Sequence, residues 1–366
     1  MLRALAAGSG LIIIAVILWD AFETVILPRR VNRRIRLTGL FYSAVWVPWS
    51  TFVIYAKPPK RREKLLSLFG PLSLLLLLVI WAVGLILGYA LIVWSIDQRL
   101  GASSEISFWT HLYLSATTFF TLGYGDVVPT NSIGRFISVV EAGNGFGLLA
   151  IVISYLPILY QAFSKREASI SLLDARAGSP SSAVELLRRH RNDDQFNDLH
   201  RLLSEWERWS AELLESHLSY PVLCYFRSQH DNQSWLGALT TVLDTCALVM
   251  VGVDGASVWQ ARLTFAMARH AVVDIAQVFR TKPTRDSSCY SRLPQAELDR
   301  MRDILQKNGI NLSDGEETER RLMELRAMYE PYVHALSEWL LMPLPPWILP
   351  KDAIDNWKTS AWGRIQ

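Results

Sequence analysis

The chain has 366 residues, of which 51% are hydrophobic and 19% are charged. This balance is too apolar for an ordinary soluble protein and too polar for a chain buried entirely in lipid, so it predicts a membrane part joined to a soluble part. A formal net charge of only +3 supplies no broad basic field for nucleic acid, and we expect no nucleic-acid partner.

Two apolar segments come first, within an N-terminal region of residues 1–67. Residues 8–27 are long enough to cross roughly 30 Å of hydrocarbon at about 1.5 Å per residue. Residues 39–56 are fewer, contain Pro48, and carry aromatic side chains of the kind that favour membrane interfaces. We therefore expect the second segment to be either interfacial or spanning.

Two clusters of Lys and Arg flank these segments: residues 29–36, from Arg29 to Arg36, and residues 57–64, from Lys57 to Lys64. Such clusters favour the cytoplasmic side and contact anionic lipid head groups. Two topologies stay open. Three spans with an interfacial second segment keep both clusters inside and the N-terminus outside, whereas four spans place the first cluster outside.

Two acidic residues, Asp20 and Glu23, lie one helical turn apart near the end of the first segment. Carboxylates at membrane depth are costly unless they are paired. We expect them to pair with Arg29 or Arg30.

A pore module is predicted over residues 68–163. Residues 68–97 and 133–163 are long apolar segments, and the amphipathic piece between them, residues 107–120, is too short to span. The pattern predicts an outer helix, a re-entrant loop that begins with a short helix, and an inner helix. The inner helix is expected to be interrupted by three glycines and a proline: Gly143, Gly145, Gly147 and Pro157.

The loop continues as Thr121-Leu122-Gly123-Tyr124-Gly125-Asp126. Closely spaced backbone carbonyls can replace the hydration shell of K⁺ without adding net charge. Gly123 and Gly125 can adopt left-handed dihedrals that turn successive carbonyls to one side. We expect K⁺ to bind along Thr121, Leu122, Gly123, Tyr124 and Gly125, with Asp126 at the outer mouth, and the C-terminal end of the preceding helix to favour a cation.

Residues 117–129, TTFFTLGYGDVVP, resemble the signature of the potassium-channel pore-loop family, and the resemblance covers about residues 68–163. It implies a homotetramer in which four loops meet on one axis, K⁺ as the permeant ion, and a hinge glycine at Gly145. Two positions depart from the family pattern. Phe120 replaces a common threonine, and Thr117 stands where some members carry a buried glutamate, so the departures bear on filter stability and inactivation.

Further residues are candidates for supporting the filter or lining the pore. Glu141 is an intramembrane carboxylic residue expected to hydrogen-bond behind the filter to Thr117 or Thr118, or to have no role. Asn144 is expected either to bond between helices or to line the pore. A hydrophobic constriction is predicted on one face of the inner helix, with ordinary packing as the alternative: Phe146, Leu149, Ile153 and, at a bend, Pro157.

Residues 164–366 predict a mostly helical cytosolic domain. The apolar run 236–253 contains Asp244 and three threonines, which favour a buried helix over another span. No Gly-x-Gly-x-x-Gly fingerprint of a nucleotide-binding regulator is found. We expect the domain to modulate opening, and its ligand is left open.

These features predict an all-α membrane protein: a tetrameric potassium-channel pore module in a cell membrane with a helical cytosolic domain. We expect no cofactor beyond the permeant ion and no enzymatic activity. Two alternatives remain, a membrane-anchored sensor or scaffold with a non-conducting pore, and a pore subunit of an ion-coupled K⁺ uptake system. The second generally has four degenerate pore repeats in one chain, whereas this chain has one complete filter.

Overall fold

A computed structural model describes residues 1–27, 37–96, 107–191, 196–230, 232–281, 283 and 292–350. The basic cluster at residues 29–36, with Arg29 and Arg30, lies outside the described residues, as does residue 97. Across the described ranges the regular structure is helical, and one isolated antiparallel bridge joins Val253 to Leu312. The chain divides into a membrane unit, Met1–Gln161, and a C-terminal unit, Ala162–Gln366. The predicted all-α fold class is confirmed.

Five helices, α1 to α5, and one π-helical turn form the framework of the membrane unit. Four of the helices are long and apolar enough to cross a membrane, and α4 is short. The bounds are α1 Leu2–Ala21, the π-helical turn Phe22–Ile26, α2 Leu37–Ile54, α3 Pro59–Ile96, α4 Phe108–Phe119 and α5 Ser132–Ala177.

Two of these helices are longer than the sequence predicts. Helix α3 begins at Pro59 and so includes most of the basic cluster at residues 57–64. Helix α5 continues to Ala177 and is helical through Gly145 and Pro157. The expected interruption of the inner helix is therefore wrong. A proline removes only one backbone hydrogen bond from a helix, and a long apolar helix can tolerate that loss in a membrane.

Helix α1 packs closely against α3 because glycines let the two backbones approach. A Cβ atom added to Gly10 would lie 2.5 Å from the carbonyl oxygen of Gly88. Further along, the indole N–H of Trp81 donates to Asp20 Oδ2 over 3.0 Å. Residue numbers rise along α1 as they fall along α3, so the two helices are antiparallel. Close approach at small residues is typical of helices that associate in membranes.

The C-terminal unit is a helical bundle around α8. That helix is apolar enough to span a membrane, but nearly all of its residues are buried among the other helices of the unit. Its polar residues are hydrogen-bonded there, Asp244 among them. The bounds are α6 Ala183–Arg189, α7 Asn197–Ser219, a 3₁₀ turn Pro221–Tyr225, α8 Trp235–Gly252, α9 Val258–Val278, α10 Gln295–Lys307, α11 Glu316–Ala327 and α12 Glu330–Leu340.

Candidate ion pathway

The short helix α4 carries the candidate filter at its C-terminal end. It buries Leu114, Ser115 and Phe119 and leaves Trp109 and Tyr113 exposed. This split follows the amphipathic pattern of the sequence, since residues three to four apart share one helix face. The helix ends after Phe119, two residues before the backbone turns left-handed at Thr121.

Left-handed dihedrals alternate along the candidate filter. The φ angles are +56° at Thr121, +58° at Gly123 and +79° at Gly125. In an ordinary strand successive carbonyls point to opposite sides. When every second residue is left-handed, successive carbonyls turn toward the same side instead. Glycine adopts this conformation without steric cost, but Thr121 does not.

The backbone N–H groups at the start of this segment bond back to α4. The N–H groups of Leu122 and Gly123 donate to the Thr117 carbonyl over 2.8 Å and 3.4 Å, and the Thr121 N–H donates to the Thr118 carbonyl over 3.0 Å. Within the described residues, no hydrogen bond ends on a carbonyl of residues 121–125, and these residues are exposed. Their carbonyl oxygens are therefore available to coordinate a cation.

The Asp126 end of the candidate filter is tied to α4 by one hydrogen bond. The hydroxyl of Tyr113 donates to Oδ2 of Asp126 over 3.0 Å. The bond joins the middle of the short helix to the residue that follows Gly125. It restrains the C-terminal end of the segment, as the Thr117 carbonyl restrains the N-terminal end.

Behind α4, the buried carboxyl of Glu141 bonds to Ser115. The expected partners were Thr117 and Thr118, so the structure gives Glu141 a different one. The Thr117 hydroxyl bonds instead to carbonyls of its own helix, at Tyr113 over 3.1 Å and at Leu114 over 3.0 Å.

Two further contacts hold α5 against its neighbours. The side-chain amide of Asn144 donates to the Tyr89 hydroxyl of α3, which is the bond between helices that the sequence allowed. Gly145 packs directly on the backbone carbonyl of Phe119, where an added Cβ would collide. In this structure Gly145 is a point of close packing inside a continuous helix.

The predicted constriction residues lie on one exposed face of α5. Phe146, Leu149 and Ile153 are 68%, 55% and 63% exposed, and Pro157 is also exposed. Their spacing of three and four places them along one stripe. Exposed apolar side chains of this size form a surface that another protein chain or lipid can cover.

Sequence reasoning missed Ser115, Tyr113 and Tyr89. Each has a hydrogen-bond partner distant in sequence, 13 positions away for Tyr113, 26 for Ser115 and 55 for Tyr89. Their position in predicted membrane helices could have indicated these contacts, because a polar group at membrane depth needs a hydrogen-bond partner.

The chain was compared with known proteins. Residues 75–162 match the family described as ion channel. The uncharacterized membrane protein YdjJ of Bacillus subtilis (strain 168) is 27% identical over 194 residues, which cover 52% of this chain and 56% of that relative. No solved structure matches the chain. The matched residues run from within α3 through α4 and the loop into α5, so residues 75–162 of this membrane protein form a region similar to ion channels.

Proposed function

We propose that the protein is a potassium-selective channel that conducts K⁺ passively through residues 121–126. The observation that carries the proposal is the alternation of positive φ angles at Thr121, Gly123 and Gly125. It leaves a short row of unbonded carbonyl oxygens, and rings of such oxygens replace the water around a dehydrated K⁺ ion. Thr121 adds its hydroxyl, and Asp126 lies at the outer end.

Four copies are needed to surround an ion, because one loop supplies oxygens from one side only. The single subunit exposes large apolar side chains near the loop, with Trp109 at 73%, Phe136 at 68% and Val139 at 71%. Exposed apolar surface of this size fits contacts between subunits and with lipid. We assign the assembly as a homotetramer.

The antiparallel packing of α1 on α3 bears on orientation. It puts the start of α1 on the same side as the end of α3, from which the pore loop follows. With that side outside, the cluster at residues 57–64 is cytoplasmic, as the positive-inside rule requires. Under this proposal the C-terminal unit is cytoplasmic and modulates the inner helix of a cell-membrane channel, and anionic lipids contact residues 29–36 and 57–64.

Purified protein in liposomes tests the proposal. K⁺ efflux that Ba²⁺ blocks, with little efflux when Na⁺ replaces K⁺, supports a potassium channel. Equal passage of both ions, or a monomeric protein, overturns it.

Gly123→Ala serves as the matched filter variant. An added Cβ at Gly123 meets no atom within 4 Å, but alanine disfavours the φ of +58°. The variant should therefore fold and assemble while its K⁺ flux falls.

A further inference from the structure

Three helices of the membrane unit meet behind the filter at one hydroxyl group. The Ser115 side chain, from α4, donates to the carbonyl oxygen of Ile86 in α3 over 2.8 Å. The same hydroxyl bonds to the carboxyl group of Glu141 in α5. Ser115 and Glu141 are each only 1% exposed. A contact this deeply buried is held in one arrangement by its surroundings.

The number of protons on the Ser115 hydroxyl determines which atom is the donor in each of its two hydrogen bonds. A serine hydroxyl has one proton to donate, and the Ile86 carbonyl can only accept. Both contacts are hydrogen bonds when Ser115 donates to Ile86 and Glu141 donates to Ser115. In that arrangement Glu141 is a neutral carboxylic acid, which avoids the cost of a buried, unpaired charge.

The hydroxyl lies close to the groups that hold the filter. Ser115 precedes Thr117 by two residues, and the Thr117 carbonyl accepts the N–H groups of Leu122 and Gly123. Helix α4 has only 12 residues, so a shift at Ser115 is transmitted to that carbonyl. One turn further along α5 from Glu141, Gly145 rests on the Phe119 carbonyl and fixes the end of the same helix.

We propose that Ser115 and Glu141 are positioning residues for ion selection: Glu141 acts as a hydrogen-bond donor that, through Ser115, sets where α4 holds the filter. The inference rests on the proposed function. It assigns a role to Ser115 and specifies how Glu141 supports the filter.

Four variants in planar bilayers test the pair, with the K⁺/Na⁺ permeability ratio as the readout. Glu141→Gln keeps a donor at the same place and should retain the wild-type ratio. Glu141→Leu and Ser115→Ala remove one partner each and should lower the ratio about tenfold, the effect of one lost buried hydrogen bond. The double variant S115A/E141L should fall no further than either single variant, because the two residues act as one unit.

Assembly is measured separately by gel filtration, so that loss of selectivity is distinguished from loss of the oligomer. If E141L and S115A both keep the wild-type permeability ratio, the inference is overturned. The proposed function still holds in that case, provided that the wild-type protein is selective for K⁺. A fall in E141Q equal to that in E141L overturns the donor assignment. If E141L does not assemble, the permeability ratio of S115A tests the inference alone. That substitution removes only a single oxygen atom. A wild-type protein that passes Na⁺ as readily as K⁺ overturns both proposals.

Discussion

Two buried carboxyl groups, Asp20 of the membrane unit and Asp244 of the C-terminal unit, are held in different ways. In the membrane unit, Asp20 is 4% exposed, and its hydrogen-bond partners among the described residues are neutral. It accepts from the Thr38 N–H over 3.1 Å, from the Thr38 hydroxyl over 2.6 Å and from the Trp81 indole over 3.0 Å. Glu141 likewise bonds to the hydroxyl of Ser115.

In the C-terminal unit, by contrast, a buried carboxylate is paired with a cation. Asp244 is 1% exposed, and its Oδ1 lies 2.6 Å from a guanidinium nitrogen of Arg292. The Tyr329 hydroxyl also donates to Asp244, and the guanidinium lies 5.5 Å from the centre of the Trp347 ring. The contrast teaches that neutral donors make a buried acid tolerant of losing its charge, whereas an ion pair leaves a bare charge when one partner is removed.

The largest effect is expected from Asp244→Ala. The substitution removes the closer of two carboxylates from the buried Arg292 and leaves, among the described residues, only Glu330, at 3.4 Å. Removal of one partner of a buried pair costs about 3–5 kcal/mol. The free energy of unfolding can be followed by tryptophan fluorescence, since Trp235 and Trp347 are fully buried in this unit.

The control is Glu317→Ala, which breaks an ion pair with Arg320 in which both side chains are exposed. It should leave the unfolding transition unchanged. A D244A protein as stable as E317A would show that the pair contributes nothing and would remove one side of the comparison.

Gly145→Ala tests how the membrane unit packs, because backbones touch there at glycines. A Cβ at Gly145 would collide with the Phe119 carbonyl. Overpacking of this kind destabilises by about 1–3 kcal/mol, so we expect a lower melting temperature and reduced flux.

Gly147→Ala is the matched control, because an added Cβ there meets no atom within 4 Å. Alanine is the better helix former by about 1 kcal/mol, so G147A should be as stable as the wild type or more so. Equal behaviour of the two variants would contradict the close packing at Gly145.

Local patterns were predictable from sequence, and contacts over distance were not. The predicted short helix, residues 107–120, differs from the observed Phe108–Phe119 by one residue at each end. The capacity of Gly123 and Gly125 for left-handed dihedrals follows from their lack of a side chain. The same dihedral at Thr121 could not be predicted, because threonine rarely adopts it.

The features that the sequence did not predict depend on contacts formed in the tertiary structure. Lys165, Arg166 and Glu167 resemble the end of a membrane helix, yet α5 continues because Arg166 is buried in the C-terminal unit and donates to the Leu223 and Phe226 carbonyls. Similarly, the observed partners of Asp20 were not predicted, and the arginines expected to pair with it, Arg29 and Arg30, lie outside the described residues. A hydrogen bond to Trp81, 61 positions away, has no signature in the local sequence.

Acid should weaken the C-terminal unit through His217. Its Nδ1 lies 2.8 Å from the Leu213 carbonyl and its Nε2 lies 3.2 Å from Arg166. The neutral ring that donates to Leu213 and accepts from Arg166 satisfies both contacts. Burial, and then repulsion from Arg166, lower the pKa of His217 well below its usual 6.5.

The direction of the change in stability with pH follows from which state of the chain binds the proton. Below about pH 6.5 the unfolded chain binds a proton at this residue and the folded chain does not, so the free energy of unfolding falls as pH falls, by up to about 1.4 kcal/mol per pH unit. His217→Gln removes the titration and should flatten this part of the profile. Identical wild-type and H217Q profiles between about pH 7 and pH 5 would exclude the effect.

The smallest effect is expected from Asp20→Asn, which tests the neutral side of the comparison. Asparagine keeps one carbonyl oxygen for the donors at Thr38 and Trp81, so roughly one hydrogen bond is lost and no charge is left unpaired. We expect a loss of about 1 kcal/mol, measured as a small fall in melting temperature. Asp244→Asn, the same change beside Arg292, should cost clearly more. If the two substitutions were equally costly, the distinction between the Asp20 and Asp244 sites would be wrong.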